Sequence, residues 1–267
     1  MAGFPFMEGQ AFFQELGNDL FEASKWTRGP WSPKHQHGGP PAALVAGRLE
    51  TMLDEAFRIV RVSTEIPRPV PVGRLRIERS VRRDGSSVKV LTGRLLDADG
   101  KLVLSAEALA LAEVELGIEA PQPVMDEALA STGRAADFPF FDPESNYAAA
   151  MELRFTRGAF GDGDVMAWLR MRIPLIWGRR PSPIERVMVA ADSGNGVSQR
   201  LNVRDFTFVN PDLTVTLHRQ PEGEWIGLGA RTDLDDRGVG VADTRLYDQR
   251  GPIGRSLQTL VIRKRSL

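Results

Sequence analysis

Two stretches of this chain can be laid over one another without a gap. "RLLDADGKLVLSAEALAL" (Arg94–Leu111) matches "RLYDQRGPIGRSLQTLVI" (Arg245–Ile262) at Arg94/Arg245, Leu95/Leu246, Asp97/Asp248, Gly100/Gly251, Ser105/Ser256 and Leu109/Leu260. In each, apolar and polar residues alternate on either side of an Asp-x-x-Gly turn, the pattern of two antiparallel strands. Antiparallel hairpins resemble one another, so the match needs support, and the order of elements supplies it. "PPAALVAGRLETMLDEAF" (Pro40–Phe57) precedes the first hairpin and "PIERVMVAAD" (Pro183–Asp192) the second. Both are apolar, and both open on proline, which suits the first turn of a helix. A helix followed by strands, twice, predicts a duplicated unit.

Further strands fill out each unit. Arg74–Val81, Ser87–Leu96 and Leu102–Leu111 form a meander in the first half. Asp212–Arg219, Glu224–Leu234, Gly240–Asp248 and Ile253–Ile262 form one in the second. Between them lies a stretch with four prolines and no sustained periodicity, which suits a connection between halves. The expected organisation is an N-terminal repeat over 1–116, a linker over 117–147 and a C-terminal repeat over 148–267. The class is α+β, with each half a central helix embraced by an antiparallel sheet. The nearly continuous apolar start of the first helix predicts that it is buried.

Composition removes several function classes. The net charge of -1 gives no field favouring nucleic acid or an anionic membrane. Absence of cysteine excludes thiolate nucleophiles and cysteine metal sites. Three histidines, two of them at positions 35 and 37, support no zinc site. "MAGFPFMEGQAFFQEL" has neither a basic start nor a long apolar core, and no apolar run reaches the length of a membrane helix. A cytoplasmic protein is expected.

Four segments carry a resemblance to a known family. "HGGPPAALVAGRLE" (His37–Glu50), "AADSGNG" (Ala190–Gly196), "NPDLTVTLHR" (Asn210–Arg219) and "RSLQTLVIR" (Arg255–Arg263) resemble the acyl-CoA thioesterase II-like family, of double-hotdog fold. The similarity spans most of the chain. It implies two tandem hotdog repeats, forming a continuous antiparallel sheet around two helices. It also implies hydrolysis of acyl-CoA to free acid and CoA, with CoA part of the substrate and no separate cofactor, in fatty acid metabolism. The family holds its water with an Asp, a Thr and a Gln. Carried over by position, these fall on Asp192, Asn210 and Gln258, so an asparagine stands where the family has a hydroxyl.

Thioester hydrolysis needs a nucleophile, a proton acceptor and donors for the developing oxyanion. Asp192 either takes the water's proton, aligns the water or attacks directly. His37, Gly38 and Gly39 stand before the first helix, where glycine permits close approach of a ligand and free N–H groups favour negative charge. Bulk at Gly39 is therefore expected to block the thioester carbonyl. His37 is expected to be structural, bonding a loop carbonyl, rather than a general base. An acid one helix-length after the glycine pair would fall near Ala46, where none stands, although Glu50 follows. The second half has Asp192 but precedes its helix with "RRPSP". Each half keeps what the other lacks, which predicts one composite site and an inert opposite end near Glu50 and Arg179-Arg180.

Plainer readings stand beside these. Asp192 before Ser-Gly is also a common helix terminus. Gln258, paired with Glu107 by the repeat, also suits a solvent face. Asn210-Pro211 also suits a strand start. Trp26, Trp31, Trp168 and Trp177 serve either an acyl tunnel or the core. Other functions consistent with the chain are a non-catalytic acyl-CoA-binding double hotdog and a hotdog hydratase or dehydratase. An acyl-CoA is the expected partner, and exposed sheet edges allow a homo-oligomer.

Overall fold

The computed structural model describes residues 7, 9–119, 121, 124–141 and 145–265, so residues 1–6 and 8 of the stretch read for targeting lie outside it. The first half runs β1 (Phe13–Gly17), β2 (Leu20–Ala23), α1 (Gly39–Glu50), β3 (Phe57–Glu65), β4 (Arg74–Asp84), β5 (Val88–Leu96) and β6 (Leu102–Ala112). After β7 (Arg134–Ala136) and the single turn α2 (Tyr147–Ala150), the second half repeats the plan. It runs β8 (Met151–Arg157), β9 (Asp164–Met171), α3 (Pro183–Ala191), the single turn α4 (Gly194–Val197), β10 (Phe206–Val209), β11 (Asp212–Leu217), β12 (Ile226–Leu234), β13 (Val239–Asp248) and β14 (Gly251–Lys264).

All of these strands join one antiparallel sheet, ordered β1-β2-β4-β5-β6-β3-β11-β14-β13-β12-β9-β8-β7, with β10 added to β14. Read outward from the centre, β3-β6-β5-β4-β2-β1 mirrors β11-β14-β13-β12-β9-β8. The halves meet where β3 pairs with β11, with Val62 opposite Val215. This is the double hotdog that the resemblance implies, built from the duplicated unit that the repeat predicts. Among the described residues, no helix is long and apolar enough to cross a membrane.

The repeat is real, but its gapless register is not. Leu91 and Ala242 are equivalent by the sequence match, yet Leu91 faces Ala108 and Ala242 faces Gln258. The turn after Asp248 closes one residue sooner than the turn after Asp97, since Leu96 pairs with Leu102 but Tyr247 with Pro252. The counterpart of Gln258 is therefore Ala108, not Glu107. A one-residue slip flips a strand's faces. Glu107 lies on the outer face with Arg61 and Arg82, whereas Gln258 points inward and is buried.

The first helix is shorter than the expected Pro40–Phe57. The Thr51 N–H caps the Gly47 carbonyl, Thr51 Oγ1 donates to Arg48 O, and Asp54 Oδ1 accepts from Ala56 N. The β-branched run of Ile59, Val60 and Val62 belongs to β3, which begins at Phe57, the last residue of the expected helix. Strand β9 escaped alternation for another reason. Most of it is buried on both faces, because residues 125–136 cover its outer side and Trp168 Nε1 donates to Ala128 O. The stretch read as a linker thus contributes β7 and a cover for the sheet.

Residues Gly39 to Gly47 of α1 are buried without exception, as expected. Helix α3 starts on a capping box in which Ser182 and Glu185 satisfy each other's backbone N–H groups. The two helices pack antiparallel, so the start of each meets the end of the other. At one end Gly39 lies against Val189, and a Cβ there would come within 2.5 Å of the Val189 carbonyl oxygen. Gly39 is therefore a packing glycine facing α3, which replaces the expectation that bulk there blocks a substrate. Gly39→Ala should lower stability by at least about 1–3 kcal/mol, the usual cost of overpacking. A drop in denaturant midpoint with unchanged slope is the measurement.

Candidate active site

Helix α3 ends at Asp192, its C-cap residue. A carboxylate at a helix C-terminus meets the negative end of the helix dipole. Here the antiparallel packing supplies a remedy, because the N-terminus of α1 abuts the same point. Pro40 and Pro41 have no N–H, so the donors that α1 can offer there are those of Gly38 and Gly39. The segment leading into α1 is pinned by His37 N donating to Thr27 O (2.8 Å) and Gln36 N to Val70 O (2.8 Å).

Four N–H donors converge on the Asp192 side chain, which is 3% exposed. His37 Nδ1 lies 2.9 Å from Oδ2. Asn210 Nδ2, at the end of β10, lies 2.8 Å from Oδ1, and it also donates to Asp212 O. Gln258 Nε2, inside β14, lies 3.2 Å from Oδ1 and 3.0 Å from the Asp192 carbonyl. The Gly39 N–H reaches the same carboxylate. It also lies 3.3 Å from His37 Nδ1. That nitrogen must carry its own proton to face a carboxylate oxygen, so the Gly39 N–H belongs to Asp192. Gln258 is held in turn by Asn195 N, which donates to Oε1 at 3.0 Å.

Burial alone pushes the Asp192 carboxyl up. The His37 ring beside it, then Asn210 and the Gly39 N–H, outweigh it and hold the group below the ordinary carboxylate range. The His37 ring stacks flat on Tyr147, with centroids 3.8 Å apart and planes 1° apart. Tyr147 OH bonds Val189 O (2.9 Å) and Ser193 Oγ (2.7 Å), the residues flanking Asp192. Complete burial pushes that phenol far above its usual range, so it stays a neutral donor.

The cluster opens onto a cleft of about 270 Å³. Trp31, Ile66, Val70, Phe140 and Phe208 give it an apolar wall, and His37, Gly38, Asp192 and Asn210 a polar floor. The opposite end of the helix pair is filled. The fully buried Glu185 carboxylate packs on Gly47, pairs with Arg179 and accepts from Ser182 N. Burial raises the Glu50 carboxyl there, with Ser182 bonding to it, and the adjoining space is about 10 Å³. Arg179 is thus engaged with Glu185 at this end of the helix pair and does not line the Asp192 cleft.

All six residues singled out from the sequence, His37, Gly38, Gly39, Asp192, Asn210 and Gln258, come together here, drawn from both halves. The His37 ring bonds a carboxylate instead of a loop carbonyl; it is the backbone N–H of His37 that meets one. Of the tryptophans, Trp31 lines the cleft, Trp168 belongs to a satellite core and Trp177 is half exposed. Sequence reasoning missed Tyr147, which sits at the end of the presumed linker. No periodic pattern marks it; its isolation as one of two tyrosines in the chain was the available signal. Among the described residues there is no cluster of potential metal ligands.

A sheet wrapped on two antiparallel helices, with a cleft where the end of one meets the start of the other, defines a protein of double-hotdog fold. Residues 27–112 match the acyl-CoA thioesterase N-terminal domain and residues 126–262 its C-terminal domain, so the chain belongs to the acyl-CoA thioesterase family. A Thermobifida fusca protein assigned as a thioesterase II is 18% identical, with a TM-score of 0.73 over 94% of this chain and 95% of that one. A hot dog protein of unknown function from Alicyclobacillus acidocaldarius is 16% identical, with a TM-score of 0.73 over 95% and 96%. An acyl-CoA thioesterase II from Mycobacterium marinum is 14% identical, with a TM-score of 0.65 over 95% of each chain. At these identities the likeness is one of fold. Comparison with curated proteins finds no sequence match.

Two outcomes follow from the donor set. Asn210 and Gln258 share Oδ1, so Asn210→Ala and Gln258→Ala should each lower kcat more than they alter KM. The double variant should lose less than the sum of the two, in free energy. The second outcome concerns pH. A carboxylate held below its unfolded value adds stability above that value, and the gain disappears as pH falls through the folded one. Removing a donor raises the folded value, so the acid-dependent part of the stability should be smaller in Asn210→Ala and its fall should end at a higher pH than in wild type, measured by denaturant titration across the acid range.

Proposed function

We propose that this chain hydrolyses an acyl-CoA thioester to the free acid and CoA, with water as nucleophile, in the Asp192 cleft. The observation that carries the reading is the meeting of Asp192 from one half with the Gly38-Gly39 pair from the other, at the floor of an apolar cleft. The apolar wall suits an acyl chain, and the carboxylate at its floor is kept ionised by its partners. Gly38 fits the role of oxyanion donor. Its N–H has no partner among the described residues, and the residue lines the cleft. A Cβ at Gly38 would lie 3.0 Å from Asp192 Oδ2, which favours glycine there. Asn210, standing where the family has a hydroxyl, commits its amide nitrogen to Asp192 and leaves its carbonyl oxygen to accept from water. The substrate brings its own CoA, no further cofactor is needed, and such activated acids belong to fatty acid metabolism.

A thiol-release assay over acyl-CoAs of graded size tests this directly. Wild type should release thiol from at least one of them. Asp192→Asn should lower that rate by about 100- to 10,000-fold without loss of fold. Glu50→Gln, at the filled opposite end, should leave it nearly unchanged. Near wild-type release by a folded Asp192→Asn would refute the assignment. Water addition to an enoyl-CoA would favour the hydratase reading, and tight binding without turnover the non-catalytic one.

A further inference from the structure

A carboxylate has about four lone-pair sites. Those of Asp192 face His37 Nδ1, the Gly39 N–H, Asn210 Nδ2 and Gln258 Nε2. Oδ1 already accepts from two amides and Oδ2 from the His37 ring, and the side chain is 3% exposed, which leaves it poorly placed to take a water's proton. His37 is in the opposite position. Its Nδ1 carries the proton it gives to Asp192, so the neutral ring has its lone pair on Nε2. That nitrogen has no partner among the described residues, and the ring lines the cleft beside Gly38.

We propose that His37 Nε2, rather than Asp192, accepts the proton of the attacking water, with Asp192 as the positioning residue that fixes the ring. The inference rests on the thioesterase reading above. Asp192 sets the tautomer and holds one edge of the imidazole. Tyr147 holds one face, and its hydroxyl is tied to Val189 and Ser193, on either side of Asp192. One end of α3 therefore fixes both the tilt and the rotation of the ring. The same donors that make Asp192 a weak base make it a permanent counter-ion, which favours the imidazolium formed as the water loses its proton.

The step balances without another reactant. Nε2 takes one proton from water as the water oxygen bonds to the thioester carbonyl carbon. The carbonyl oxygen becomes an oxyanion beside the Gly38 N–H. Collapse re-forms the carbonyl and breaks the carbon–sulfur bond, and the Nε2 proton passes to the CoA sulfur. Acid and free thiol leave, and the ring is neutral again.

Chemical rescue separates a proton acceptor from a structural ring. In thiol release, His37→Ala should lower kcat by about 100- to 10,000-fold, with KM changed only a few-fold. Added imidazole should restore turnover, and the restored rate should rise across substituted imidazoles as their basicity rises. Asp192→Asn should gain nothing from imidazole. The proposal is overturned if folded His37→Ala keeps kcat within about tenfold of wild type, or loses it and no imidazole restores it. If His37→Ala does not fold, His37→Gln decides, retained kcat overturning the proposal and lost kcat at unchanged KM supporting it. A wild type that releases no thiol from any acyl-CoA tested removes the thioesterase reading and this one with it, a result distinct from a hydrolytic enzyme indifferent to His37.

Discussion

The arrangement depends on one buried anion placed where two antiparallel helices meet end to start. Alone, Asp192 would sit in low dielectric at the unfavourable end of α3. Packing against the start of α1 turns that position around, since Gly39 gives its N–H to the carboxylate and the His37 ring closes over one oxygen. The close contact needs glycine at Gly39, where the Val189 carbonyl leaves no room for a Cβ. The same contact that cements the helix pair thus brings the acid of one half to the glycine pair of the other.

A duplicated fold offers two such junctions, and this chain uses them differently. At one end the second half supplies an acid and the inward-facing amide of Gln258, and a cleft remains. At the other, Glu185 turns back on its own helix start, packs on Gly47 and pairs with Arg179, so the space is taken by protein. The sheet carries the same asymmetry. Where β14 presents Ser256 and Gln258 to the interior, β6 presents Ala106 and Ala108. The sheet's inward polar groups are concentrated around one junction, while the other is filled by an ion pair.

Shape and chemistry at the open junction are coupled through α3. Val189 and Ser193 hold Tyr147, Tyr147 holds the face of His37, and Asp192 between them holds its edge. The orientation of the imidazole is therefore a property of one helix end.

The repeated Asp-x-x-Gly hairpins, the proline-led apolar segments and the alternation of the meanders were enough to read a duplicated helix-and-sheet unit, because those patterns arise from local conformation and one-sided burial. They were also enough, through resemblance, to gather six residues that do meet at one site. Three matters were settled only by tertiary structure. The partner of Gln258 across the repeat is Ala108, because a turn one residue shorter resets the register, and the length of the turn shows only in the backbone pairing of the two strands. Strands such as β9 are covered on both faces by distant segments, which erases the alternation that would reveal them. The pairing of His37 with Asp192 over the Tyr147 ring joins three places far apart in the chain, and no local pattern encodes a contact created only when the two helices pack.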